Sequence, residues 1–224
     1  MPPKAPDASD ADGGSREAKP PRVELARLRE LQSRQRGELD RTIMEAVLLT
    51  SGEEGYRNVT VEKVIKRYGG YRFQFYRHFA NLGECYAIAY EAEAEGLCRE
   101  ILRAGAMQPT WRKGLRAALE RLASFAQEQP MKARALLIDV HVAGGPAMDS
   151  RKKMFERLSR AIDSARREIG SRHSPPPLTS SFMVSAIEAA VVSALFADDS
   201  RRFAEAVPEL VRLIVVAYFG DETQ

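Results

Sequence analysis

Two short helical runs divided by a pair of glycines constrain this chain more than any other feature. In Val59–Phe79, VTVEKVIKRYGGYRFQFYRHF, Thr60 can cap a helix through its hydroxyl. Val61, Val64 and Ile65 then share one apolar face. Gly69-Gly70 stops that run, because glycine enters the left-handed region at little steric cost. A second short helix follows, with Phe75 and Phe79 spaced to face inward and Arg72, Gln74, Arg77 and His78 outside. Helix, glycine turn, basic helix is the helix-turn-helix pattern.

Charge falls in the same place. Six Lys or Arg and one acid, Glu62, lie between Arg57 and His78, a net of +5, whereas residues 79–224 balance 19 basic against 19 acidic side chains. Basic charge confined to one small element points to a polyanionic partner.

Ile43–Tyr86 resembles the DNA-binding domain of the TetR family of bacterial transcriptional regulators. The resemblance is carried by IMEAVLLTSGEEGY, NVTVEKVIKRYG, the FYRHF core, and the passage through FAN into ECYAIAYEAEAEGL. It implies an all-α fold, an N-terminal helix-turn-helix domain followed by a helical ligand-binding and dimerisation domain. It also implies a cytoplasmic homodimer on a double-stranded operator, a repressor released when a small molecule enters the body. Carried onto this chain, Tyr71, Arg72 and Gln74 face base edges, while Thr60, Tyr76, Arg77 and His78 sit on phosphates. The chain departs from the family pattern at Tyr68, Gly70, Tyr71 and Phe73, where alanine, valine, serine and glycine are usual, and at Leu82 in place of a lysine. The departures leave a second reading open, a dimeric ligand- or protein-binding module of the same fold with a degenerate motif.

The rest of the chain reads as helices. Residues 1–22, rich in Pro, Ala, Asp and Gly, are expected to be a disordered tail. Residues 23–82 are assigned to the helix-turn-helix domain, with an extra arginine-rich helix, Val23–Arg36, before the first core helix Leu39–Thr50. Gly52 and Gly55 are expected to end that core helix. Residues 83–224 form the helical body. In it Glu84–Arg103 is the candidate transmitter of ligand state, and Pro109–Gln129, Ala133–Ala143 and Ala147–Ile169 follow. The last two helices are expected at Thr179–Ala197 and Pro208–Phe219, Pro208 suiting a first helical position. The final helix carries two apolar stripes, one through Leu213 and one through Val215, which calls for a core on one side and a partner subunit on the other. An inducer cavity, taking a largely apolar effector, is expected between Pro109–Gln129, Ala133–Ala143 and the long helix, with Trp111, Leu137 and His141 as its candidate residues.

Catalysis finds little support. The three histidines stand apart, in the motif, alone at 141, and in the proline loop at 173. There is no nucleophile elbow, phosphate loop or metal-ligand spacing, and no cofactor is implied; His141 reads as a core histidine. An all-helical enzyme whose site assembles in space is the third and weakest reading. Cys85 and Cys98, about 20 Å apart along one helix, cannot pair, as expected of a reducing compartment. No unbroken apolar run approaches the roughly 20 residues of a membrane span.

Overall fold

The computed structural model describes residues 22–164 and 175–220, with side chains from residue 37. The tail assigned to 1–22 falls outside the described residues but for its last position, and His173, Arg166 and Arg167 fall outside them too. Helices and turns account for the described fold, with no strand among them. The buried core lies within the unit Leu39–Gln224 and runs without a break from Ile43 to Tyr218.

The first helix, α1, is Arg22–Glu54, so the extra helix and the first core helix are one element. A single interior glycine, Gly37, costs only about 1 kcal/mol and need not break a run. Gly52 does not end α1 either. It lies inside the helix, where a Cβ would stand 1.9 Å from the carbonyl oxygen of Met131. Its role is close approach. Gly55 (φ 80) is the true stop, followed by a 3-10 turn, Tyr56–Asn58.

Helices α2 (Val61–Tyr68) and α3 (Arg72–His78) form the predicted motif. Thr60 caps α2 by accepting from the Lys63 N–H at 3.3 Å, and Gly69 closes it at φ 73. Helix α4 (Leu82–Ala106) starts behind an Asn81 cap that accepts from the Glu84 N–H at 2.9 Å. It packs on α5 (Trp111–Glu128) where Gly105 and Gly114 meet backbone to backbone.

The apolar stretch after Pro130 is not one α-helix. It divides into α6 (Pro130–Arg134), a π-helical turn (Ala135–Asp139) and α7 (Val140–Ala143). Helix α8 (Gly145–Asp163), α9 (Thr179–Phe196) and α10 (Arg201–Phe219) complete the body. Pro208 sits inside α10, not at its start, and the helix begins nearly two turns earlier because Phe203 and Val207 are buried there. Val211, Ile214, Val215 and Tyr218 are also buried, whereas Leu213 is 50% exposed. Helix α9 has the length and apolarity of a membrane span, which the unbroken-run criterion missed because serines and Glu188 interrupt it. Only a third of it is covered by the rest of the chain. Its exposed stripe, Phe182, Ala186, Ala189, Ser193 and Phe196, repeats at helical spacing.

Candidate functional site

The motif presents one face outward. Phe75 is buried beneath it, touched edge-on by Tyr76 and flanked by Phe79. Tyr71, Arg72, Phe73, Tyr76 and Arg77 are exposed, and Thr60 is exposed at the start of α2. Thus six of the seven residues expected to meet DNA share the region, with Gln74 half-buried among them.

Two of the seven have other work. His78 is 5% exposed on its side chain, and its Nδ1 is held by the Asp40 carboxylate of α1, so it packs the motif down and does not join the outer surface. Gln74 turns back to cap its own helix, its Oε1 accepting from the Tyr71 N–H at 2.8 Å. A bidentate base contact through Gln74 therefore requires that cap to open.

The departures from the family pattern also find their geometry here. The Tyr68 hydroxyl donates to the Tyr71 carbonyl at 2.9 Å and bridges the turn. A Cβ on residue 70 would overlap the Tyr68 ring, so the large ring and the glycine belong together. Tyr71 and Phe73 stand 69% and 66% exposed, rings stacked at 6.1 Å and 16°. Arg72 pairs with Glu62 at 2.8 Å and lies over the Tyr76 ring at 5.5 Å. Lys63 and Arg67 pair with Glu54 and Glu53 of α1. Counting only residues 57–78 misses those two acids. Arg57, Lys66 and Arg77 have no ion pair among the described residues.

Behind the motif lies a junction that the sequence did not announce. Asp139, buried in the π turn, accepts from the Ser51 hydroxyl of α1 at 2.8 Å and from the Tyr56 N–H at 3.2 Å. Burial raises its pKa above the usual carboxylate value, and the two hydrogen bonds act against that rise. From α4, Tyr86 donates to the Ala135 carbonyl of the same turn at 2.6 Å, and its ring packs on Tyr56 at 4.7 Å. One acid inside an apolar run, ALLIDV, was the available signal, because a buried carboxylate needs donors.

The body holds a cavity of about 470 Å³ between α4, α5, α8 and α9. Its walls are mainly apolar, and Trp111 and Leu137 are among the lining residues. Trp111 also rests on Tyr218 and Phe219 of α10. His141 is exposed on α7 and away from the lining. It lies with Val142 on the outer side of α7, a single turn that ends at Gly144 (φ 63). Cys85 and Cys98 are buried free thiols, and burial pushes the Cys85 thiol up to about 12. No metal-binding group of His, Cys, Asp or Glu occurs among the described residues.

The described residues form a three-helix unit bearing a helix-turn-helix, joined by a long helix to a helical body with an apolar cavity. This is the fold of the TetR-family regulators. Over 79% of this chain and 97% of the other, it superposes on the transcriptional regulator FadR from Bacillus subtilis in complex with stearoyl-CoA, with a TM-score of 0.69 and 13% identity. A TetR-family regulator from Pectobacterium atrosepticum gives a TM-score of 0.64 at 19% identity, covering 82% of this chain and 96% of the other. Escherichia coli NemR in its reduced form gives 0.63 at 14% identity, covering 80% and 98%. No protein-family profile and no curated protein matches the sequence.

Proposed function

We propose that this chain is a ligand-responsive, DNA-binding transcriptional regulator that acts as a homodimer and leaves its operator when an apolar small molecule enters the body. Residues 23–82 carry DNA recognition, and residues 83–224 carry ligand binding and dimerisation. The observation that carries the reading is the pairing of an outward helix-turn-helix face with a large apolar cavity, the two sharing α4 and the π turn. Tyr71 and Arg72 meet base edges, and Thr60, Tyr76 and Arg77 meet phosphates. Gln74 joins the base contacts when its cap opens. The likeness to a stearoyl-CoA-bound regulator supports a long aliphatic effector.

The test is binding of the purified chain to its own upstream DNA at two salt concentrations, with and without a long-chain amphiphile. A specific complex whose affinity falls steeply with salt, and which the amphiphile dissociates, is expected. The degenerate-module reading has an observation of its own, the pairing of Lys63, Arg67 and Arg72 with Glu54, Glu53 and Glu62. An intact dimer with no specific complex at low salt would decide for that module.

A further inference from the structure

Among the cavity's lining residues only Glu188 of α9 is ionisable. Its partner, Arg151 of α8, is not part of the lining. Arg151 donates from Nε to Glu188 Oε1 at 3.1 Å and from Nη2 to Oε2, a two-pronged fork. The guanidinium also lies 4.0 Å above the centroid of Phe155, and Phe155 does line the cavity. One face of the cation is thus covered by a ring and two of its nitrogens are occupied. The polar edge left toward the cavity is the carboxylate, whose oxygens each keep a lone pair for a further donor.

The pair also has a defined place. Along α8 the lining runs from Met154 and Phe155 to Ser164, about 15 Å at 1.5 Å per residue. Arg151 and Glu188 mark the Met154 end, while Ser164 marks the other. Near the pair is a second polar group in want of a partner. The Tyr90 hydroxyl is buried with no hydrogen-bond partner among the described residues, and both Arg151 and Glu188 act on it electrostatically. Buried orphan hydroxyls are uncommon in folded proteins.

We propose that the cavity takes an amphiphile whose head group donates hydrogen bonds to Glu188, an alkylammonium or a long-chain alcohol and not a carboxylate. A carboxylate head would face the Glu188 carboxylate across an apolar space, with Arg151 set back outside the lining. A donor head meets an acceptor already in place, and the fork stays closed. This inference rests on the effector-cavity reading above and narrows it to a head-group class.

The experiment is displacement of a fluorescent apolar probe from the purified full-length chain by dodecylamine, dodecanol and dodecanoate, each below its micellar concentration. Dodecylamine and dodecanol are expected to displace the probe at concentrations about ten-fold or more below that needed for dodecanoate, the weight of one charge-assisted hydrogen bond. Glu188→Gln is expected to erase the advantage of the amine over dodecanoate. Equal or tighter binding of dodecanoate overturns the head-group assignment while leaving the cavity as an effector site. Failure of all three to displace the probe overturns the effector site itself. Should Glu188→Gln fail to fold, the ranking of the three compounds on the unaltered chain decides alone.

Discussion

Asp139 is the residue on which the two ends of the molecule meet, and its chemistry yields a signed expectation. Its raised pKa means that the folded chain keeps a proton which the unfolded chain releases, in the window above the ordinary carboxylate value of 3.8. The stability this group contributes is therefore present in acid and lost as pH rises through the folded value. Asp139→Asn keeps an acceptor for the Tyr56 N–H, and its amide can donate to Ser51, so it carries no such loss. Relative to the unaltered chain, Asp139→Asn is expected to gain stability between pH 4 and pH 7, read as the difference in denaturation midpoints at the two pH values. Asp139→Ala leaves the Ser51 hydroxyl and the Tyr56 N–H without their acceptor and is expected to cost roughly 2–4 kcal/mol. On the outer face, the proposed phosphate contact of Arg77 predicts that Arg77→Ala lowers the salt slope of DNA binding by about one unit per half-site, for every sequence alike. Gln74→Ala carries two effects because Gln74 caps α3. It is expected to lower helix stability by about 0.5–1 kcal/mol and to change base preference at one position, which a melt and a binding-site selection separate.

At the scale of the element, α9 and α10 carry the apolar surface on which the proposed homodimer rests. A monomer would leave Phe182, Phe196 and Leu213 in water on two neighbouring helices. Pairing with a second copy removes them, and the small residues Ala186 and Ala189 between the phenylalanines permit close approach. Leu213→Glu is expected to give a folded monomer by sedimentation, while Val215→Glu, at a buried position, is expected to give insoluble protein. A Leu213→Glu chain that still sediments as a dimer would remove α10 from the interface. These elements also mark how far the sequence could be read. Thr60, Gly69 and Phe75 were legible because caps, turns and apolar spacing are local rules, and the structure places them as expected. The π turn was not, because ALLID satisfies any helix and only its contacts with α1 and α4 select the wider winding. Pro208 misled because a local preference for the first turn was overridden by burial of Phe203 and Val207 before it. At the candidate site, exposure of Arg72 and Arg77 followed from helical spacing, whereas Tyr76 came only from the resemblance. The diversion of His78 to Asp40 depended on a partner 38 residues away, which spacing cannot reveal.

Across the whole molecule the cavity and the motif share one turn. Leu137 lines the cavity, and Asp139, two residues further on, holds the end of α1 and the segment leading into α2. Tyr86 ties the same turn to α4, the helix that leaves the motif and walls the cavity. On the proposed function, a ligand that displaces Leu137 works directly on the footing of the motif, which gives a second route beside α4. Coupling between two sites is reciprocal in free energy, so whatever factor the ligand removes from operator affinity, the operator must remove from ligand affinity. Titrating each against the other on the unaltered chain is expected to return the same factor, within the 5–150-fold span (about 1–3 kcal/mol) typical of such couplings. Two variants separate the parts. Ala118→Phe places a ring in the cavity from the α5 wall, and is expected to retain operator binding while losing ligand affinity. Tyr86→Phe leaves the cavity lining intact and removes the hydroxyl that bonds the π turn. It is expected to bind both partners and to show a smaller coupling factor. Unchanged coupling in Tyr86→Phe, with both affinities intact, would mean that this bond carries none of the signal and would leave the Asp139 contacts and the body of α4 as its path.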